Sequence, residues 1–138
     1  MNTYRTSAAQ EAKPLPNGKF KTPESVRRYT NSLRGRLGCL VKGAKSSAKT
    51  KGLVFTLTLA DVMAAWIEQD GKCLYTGWPM TTETRSSALV SIERKDCNAG
   101  YTRKNCILVC WQANRARGFM TRDEFVSLCV AVATHCKP

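Results

Sequence analysis

Between residues 90 and 118 the chain reads VSIERKDCNAGYTRKNCILVCWQANRARG. Its polar residues are spaced so that they could act together. Glu93 and Arg94 end one β-prone run, Asn105 precedes a second, and Asn114 lies on the helical stretch that follows. A hairpin with a helix packed across it would bring Glu93 and Asn114 to one side. A carboxylate and an amide oxygen are hard ligands suited to Mg2+ or Mn2+. Two protein ligands leave positions open for phosphate and water, as hydrolysis of a phosphodiester requires. Each residue also has a structural reading. An acidic residue beside an arginine at a strand end commonly forms a surface ion pair, and asparagines commonly cap turns and helices.

The elements that would position these residues can be read along the chain. Residues 1–21, with Pro14, Pro16 and Gly18, read as a flexible basic arm. From Thr22, a candidate cap followed by Pro23, the pattern turns helical. Val26, Tyr29, Leu33, Leu37, Leu40, Val41, Ala44 and Ala48 recur at spacings of three and four, a single apolar stripe. Gly35, Gly38 and Gly43 weaken this helical region, 22–50, and mark where it would break or kink. Lys51–Leu57 is a connector. Thr58 and Asp61 form a capping box that opens a helix over about 59–69, ended by Gly71. Residues 72–87 read as a loop, and Trp78 beside Pro79 lies in it. The β-prone runs are Ala88–Ile92 and Cys106–Val109, separated by a charged stretch and the turn Asn98-Ala99-Gly100. A helix over about 110–117 follows. Thr121 to Glu124 is a second capping box, opening a final helix over 121–136 with Phe125, Leu128, Cys129 and Val132 on its apolar side. Trp66 and Trp111 fall at helical positions and read as core.

Composition limits the classes. The chain has 138 residues, 43% hydrophobic and 23% charged, ordinary for one globular domain. No apolar run approaches the roughly 20 residues a membrane helix needs, and the N-terminus shows no secretory pattern, so an intracellular setting is expected. The net charge is +12. Residues 1–51 carry 12 basic and 2 acidic residues, and the remainder 10 and 8. Such a one-sided distribution is the footprint of a polyanion binder, with nucleic acid ahead of an anionic membrane. Arg27, Arg28, Arg34, Lys42, Lys45, Lys49 and Lys51 are the candidate phosphate contacts of the helical region, joined by Arg103, Lys104, Arg115 and Arg117. The seven cysteines include no CxxC pair, which argues against structural zinc and for free thiols. Cys129 reads as core filling. A convergence of Cys97, Cys106 and Cys110, with Cys73, on a metal is the weaker alternative.

The segments KGLVFTLTLADVMAAWIEQDGKCLYTGWPM, SIERKD and GYTRKNCILVCWQANRARG, with the helix after MTRDEF, together resemble the HNH endonucleases of the ββα-metal (His-Me finger) fold, in a small phage-type branch. The resemblance covers about residues 30–135. It implies an α+β fold with a ββα core over 88–118 and flanking helices. It implies a divalent-metal-dependent endonuclease acting on double-stranded DNA, phage or mobile-element encoded and homing-like. Residue by residue, Glu93 falls at the acidic metal ligand, Asn114 at the second ligand, Asn105 at the asparagine that braces the loop, and Arg117 at a basic residue expected to touch phosphate. Tyr101 falls at a packing tyrosine. Arg94 stands where many members have the general-base histidine. The branch usually has Asp where Glu93 stands, and the one histidine, His135, reads as a surface residue of the last helical turn. Arginine is a poor base at neutral pH, so Arg94 is expected to hold the scissile phosphate and stabilise its charge. The base is then a metal-bound water or another side chain, with Tyr75 and Asp96 as candidates. Tyr75 reads first as hairpin packing, and Asp96 first as half of a loop-ordering ion pair. The departures also support a rival: a catalytically inactive nuclease fold kept for DNA binding. An RNA-binding protein is a third, weaker reading. One site cuts one strand, so a duplex break needs a homodimer or two events.

Overall fold

The computed structural model describes residues 23–137, apart from the side chains of Ser25 and Val26. The expected N-terminal arm, the Thr22 cap and the Val26 packing position lie outside what is described. The elements run α1 (Pro23–Asn31), α2 (Leu33–Lys51), α3 (Leu59–Glu68), β1 (Val90–Arg94), β2 (Cys106–Cys110), α4 (Trp111–Arg117) and α5 (Arg122–His135). The fold is α+β: an antiparallel hairpin followed directly by a helix, with further helices around it.

The helical region expected over 22–50 is two helices, and none of the three glycines breaks it. The break is at Ser32, whose hydroxyl donates to the Tyr29 carbonyl (2.6 Å) and accepts from Gly35 N–H (3.1 Å). One serine thus ends α1 and caps α2. Gly35 is required there, because a Cβ would lie 1.8 Å from the Tyr29 carbonyl oxygen. Gly52, at φ 65°, ends α2 in the left-handed conformation. The apolar stripe itself is real. Leu37, Ala44 and Ala48 are buried, and Leu33, Leu40 and Val41 pack against the core.

Both capping boxes are formed. Thr58 and Asp61 close the start of α3, and Thr121 and Glu124 that of α5. The hairpin pairs Val90 with Cys110, Ile92 with Leu108 and Arg94 with Cys106. β1 therefore starts and ends two residues later than the apolar run suggested. It continues through Glu93 and Arg94 because their backbones complete the ladder with the all-buried strand CILVC. α3 packs on β2, α4 on both strands, and Leu57, Val62, Trp66, Cys73, Met80, Val90, Leu108 and Val109 fill the centre.

The hairpin's outer edges are covered by side chains as well as backbone. On β2, the Gln69 amide acts as a peptide unit. Its Nε2 donates to the Leu108 carbonyl (2.7 Å) and its Oε1 accepts from Leu108 N–H (3.0 Å). On β1, Asn114 and Arg117 of α4 donate to the Ile92 and Arg94 carbonyls (3.3 and 2.7 Å).

Two packing expectations fail. Only Phe125 of α5 is buried, against the Tyr75 ring at a centroid distance of 5.8 Å, whereas Leu128, Cys129 and Val132 are exposed. Beyond its first turn, no layer among the described residues covers that side of α5. Trp111 is about half exposed, with the Arg115 guanidinium over its ring, since β2 passes straight into α4 and the first helical residue faces outward. Trp66 is buried and Trp78 exposed. No helix among the described residues is long and apolar enough to cross a membrane.

Candidate active site

Ser91 and Glu93 point to the same side of β1, as the two-residue period requires. Asn114 and Arg117 are three apart on α4 and so share the helix face that meets it. Asn114 Nδ2 donates to Ser91 Oγ (2.9 Å) and to the Ile92 carbonyl. With its nitrogen so placed, the amide oxygen is the end left for a ligand. Ser91 Oγ in turn donates to the Val109 carbonyl (3.3 Å), fixing the rotamer beneath it. The hairpin and helix thus bring Glu93 and Asn114 onto one side of the ββα unit.

Arg117 is the centre of this arrangement. It is 1% exposed and its NH1 lies 3.0 Å from Glu93 Oε1. The same guanidinium donates to the carbonyls of Arg94 (2.7 Å), Lys95 (2.8 Å) and Met120 (2.9 Å). The phosphate contact expected of Arg117 is therefore not what this geometry provides. Its donors are consumed in tying the end of β1 to the α4–α5 turn.

Glu93 is buried, and among the described residues its second oxygen, Oε2, has no hydrogen-bond partner. Burial pushes its carboxyl above the ordinary glutamate range, and the Arg117 charge opposes that shift. Tyr75 brings a buried hydroxyl beside Arg117 that makes no hydrogen bond of good geometry among the described residues. Burial raises the phenol's pKa, Arg117 opposes this and Glu93 adds to it. At neutral pH Tyr75 is therefore a proton donor rather than a base. Phe125 of α5 holds its ring in place.

Arg94 turns the other way. Its NH1 donates to the Cys97 and Ala99 carbonyls (2.6 and 2.9 Å), and its guanidinium stacks on Tyr101 at 4.9 Å from the ring centre. Arginine has five N–H donors, so two are spent on the loop and three remain. Asn105 grips the same loop. It donates to the Asp96 and Gly100 carbonyls (3.1 and 2.8 Å) and accepts from Asp96 N–H (3.0 Å). Asp96 makes an Asx turn to Asn98 N–H (2.8 Å), and this satisfies the carboxylate in place of the ion pair considered from sequence.

Beside the site, reached through Tyr75, lies a groove of about 380 Å³ lined by Leu74, Tyr75, Lys95, Ile107 and Arg122. Lys95 and Arg122 give it a positive rim that sequence reading missed. Arg122 was hidden inside a capping box, and Lys95 inside a run of charges. Of the other basic candidates, Arg34, Lys42, Lys45, Lys49 and Lys51 are exposed along α2, and Arg27 and Arg28 on α1. Arg28 pairs with Glu24 (3.4 Å) and Arg103 with Glu68 (2.5 Å). Lys104 is exposed and Arg115 lies over Trp111. His135 is exposed in the last turn of α5. Among the described residues no three His, Cys, Asp or Glu side chains gather as ligands, so Cys73, Cys97, Cys106 and Cys110 form no such cluster.

No family model matches the chain, and no curated protein matches it. Among solved structures it is similar to the rare-cutting HNH restriction endonuclease PacI, at a TM-score of 0.53 and 20% identity. The match covers 95% of this chain and 89% of the other. The α+β architecture, with its hairpin leading into a helix, is thus one that this chain shares with a solved HNH endonuclease.

Proposed function

We infer that the protein is a divalent-metal-dependent DNA endonuclease of HNH type, and the observation that carries the reading is the orphaned Oε2 of Glu93. A buried carboxylate oxygen without a donor costs free energy unless something else binds it. Glu93 Oε2 and the Asn114 amide oxygen would supply hard-oxygen donors of the kind that Mg2+ or Mn2+ prefers. When bound, such an ion would lower the pKa of water and offset negative charge on a phosphodiester.

The chain's own residues have separate tasks. Glu93 and Asn114 hold the metal position. Arg117 offsets part of what burial costs the Glu93 carboxylate. Arg94, turned onto the 97–99 loop, fixes the end of β1 rather than meeting the scissile phosphate, and Asn105 keeps that loop closed. Tyr75, protonated, offers a hydrogen bond to a phosphate oxygen. Lys95 and Arg122 line the approach, and the basic faces of α1 and α2 supply affinity through counterion release. The phage or mobile-element setting, homing-like action and a homodimer for duplex cleavage belong to this same reading.

A second reading, DNA binding without cleavage, has one observation in its favour. Arg117 already neutralises Glu93 from inside the protein. Nicking of supercoiled plasmid under Mg2+, Mn2+ or EDTA separates the two. Metal-dependent nicking by the wild type, lost in Glu93→Ala and Asn114→Ala, is expected. Binding without nicking under either metal would establish the second reading, and equal nicking by all three proteins would overturn the site.

A further inference from the structure

The α4–α5 turn presents an aromatic side chain that nothing among the described residues covers. Phe119 is 97% exposed. Its backbone is not loose. Met120 N–H donates to the Arg117 carbonyl (3.1 Å), closing a four-residue turn with Phe119 at its third position. Gly118 has φ 54° and ψ −122°, the geometry of the first central residue of a type II′ turn, which favours glycine. Arg117 Nε binds the Met120 carbonyl from within, and Thr121 then starts α5 with a capping box. The turn is therefore fixed at both ends while its phenyl ring stands in solvent.

Its surroundings indicate the partner. Arg117, the first residue of the turn, is the ion-pair partner of Glu93, so the ring is presented two residues from the centre of the site. Arg115 precedes the turn, and Arg122, on the rim of the groove beside the site, follows it. An apolar ring flanked by cations suits a polyanion with apolar faces inside it, as duplex DNA has. Side chains that wedge between base pairs are apolar, rigidly presented and flanked by phosphate contacts. We propose that Phe119 is a wedge that inserts into a base step beside the scissile phosphate and partly unstacks it. This rests on the DNA-cleaving site proposed above and assigns that site a way of deforming its substrate.

A test that needs no recognition sequence is the linking number of closed circular plasmid. The full-length protein is bound in EDTA, so that no strand is cut. The circles are relaxed with a topoisomerase that needs no metal, stripped of protein and resolved on a gel. A wedge unwinds DNA, so wild type shifts the topoisomer distribution. Phe119→Ala abolishes the shift, while affinity for the plasmid falls less than about tenfold, because stacking gained and stacking broken largely offset each other. Phe119→Trp restores it. Wild-type and Phe119→Ala shifts of equal size would overturn the wedge while leaving DNA binding intact. So would wild-type binding without a shift. Loss of self-association in Phe119→Ala, seen by sedimentation and with no topological effect, would reassign the ring to a contact between copies of the chain. Absence of any plasmid binding by wild type would instead remove the DNA reading itself.

Discussion

Replacing Arg117 with methionine separates a structural arginine from a phosphate-binding one. Methionine keeps much of the side-chain volume and removes every donor. The wild-type guanidinium pairs with Glu93 and serves three backbone carbonyls, all at 1% exposure. Removing one partner of a buried ion pair costs about 3–5 kcal/mol, chiefly because the other charge is left buried. Carbonyls left unsatisfied add to this, at about 1–3 kcal/mol for a fully buried group. Since these terms share one site they do not simply sum, and a loss above about 4 kcal/mol is expected, against a typical total of about 5–15. The pH dependence carries the sign. Burial raises the folded pKa of Glu93, and Arg117 holds that rise back. Without Arg117 the folded carboxyl takes up a proton more readily still. Stability linked to a raised folded pKa is present below the unfolded value and lost as pH rises through the folded one. The deficit of Arg117→Met relative to wild type should therefore shrink as pH falls from 8 toward 5. Urea denaturation across that range measures it. A deficit below about 0.5 kcal/mol, typical of surface substitutions, would refute the buried clamp. So would a deficit that grows on acidification. In that case a fall of about one in the salt slope of DNA binding would restore Arg117 as a phosphate contact.

Other outcomes follow from the same geometry. Asn105→Ala removes three loop hydrogen bonds. It should cost about 1.5–4.5 kcal/mol at the usual 0.5–1.5 per bond, and hydrogen exchange should show residues 95–100 opening first. Gly100→Ala places a Cβ 2.2 Å from the Val54 carbonyl oxygen, the acceptor for Tyr101 N–H. A loss of at least about 1–3 kcal/mol is expected from overpacking, read as a lower Tm. Thr58→Ala and Thr121→Ala should each cost about 1 kcal/mol through lost capping. The Asp61 and Glu124 carboxyls are held below their ordinary range by hydrogen bonds from Thr58 and Thr121. Their contribution should therefore be present at neutral pH and fade as the solution is acidified through those lowered values. Plasmid affinity should fall steeply with salt, and a combined Lys42→Ala, Lys45→Ala and Lys49→Ala variant should flatten the slope by up to about three.

What could be read from the sequence was what depends on near neighbours. Both capping boxes were legible because cap and partner lie three residues apart, and the hairpin and following helix because their residues are contiguous. Ser32 was missed as a break because glycine is the more conspicuous helix breaker. The serine's effect depends on where the Tyr29 carbonyl lies. The site was legible as residue types but not as bonds. Glu93 and Asn114 were placed near one another, yet the separation of 24 residues between Glu93 and Arg117 gave no sign that the two pair inside the protein. Lys95 and Arg122 read as generic surface charges, because the groove they border exists only in the fold. The apolar side of α5 satisfied every helical spacing rule, but spacing carries no information about whether a second layer lies opposite.

A two-stranded sheet has two outer edges, each a ready template for a foreign strand. Here Gln69 occupies both backbone groups of Leu108 on one side. On the other, Thr81 takes Val90 N–H, and Asn114 and Arg117 take the Ile92 and Arg94 carbonyls. On the β1 edge an incoming strand would have to displace side chains that also build the site, so strand addition there and loss of the site are one event.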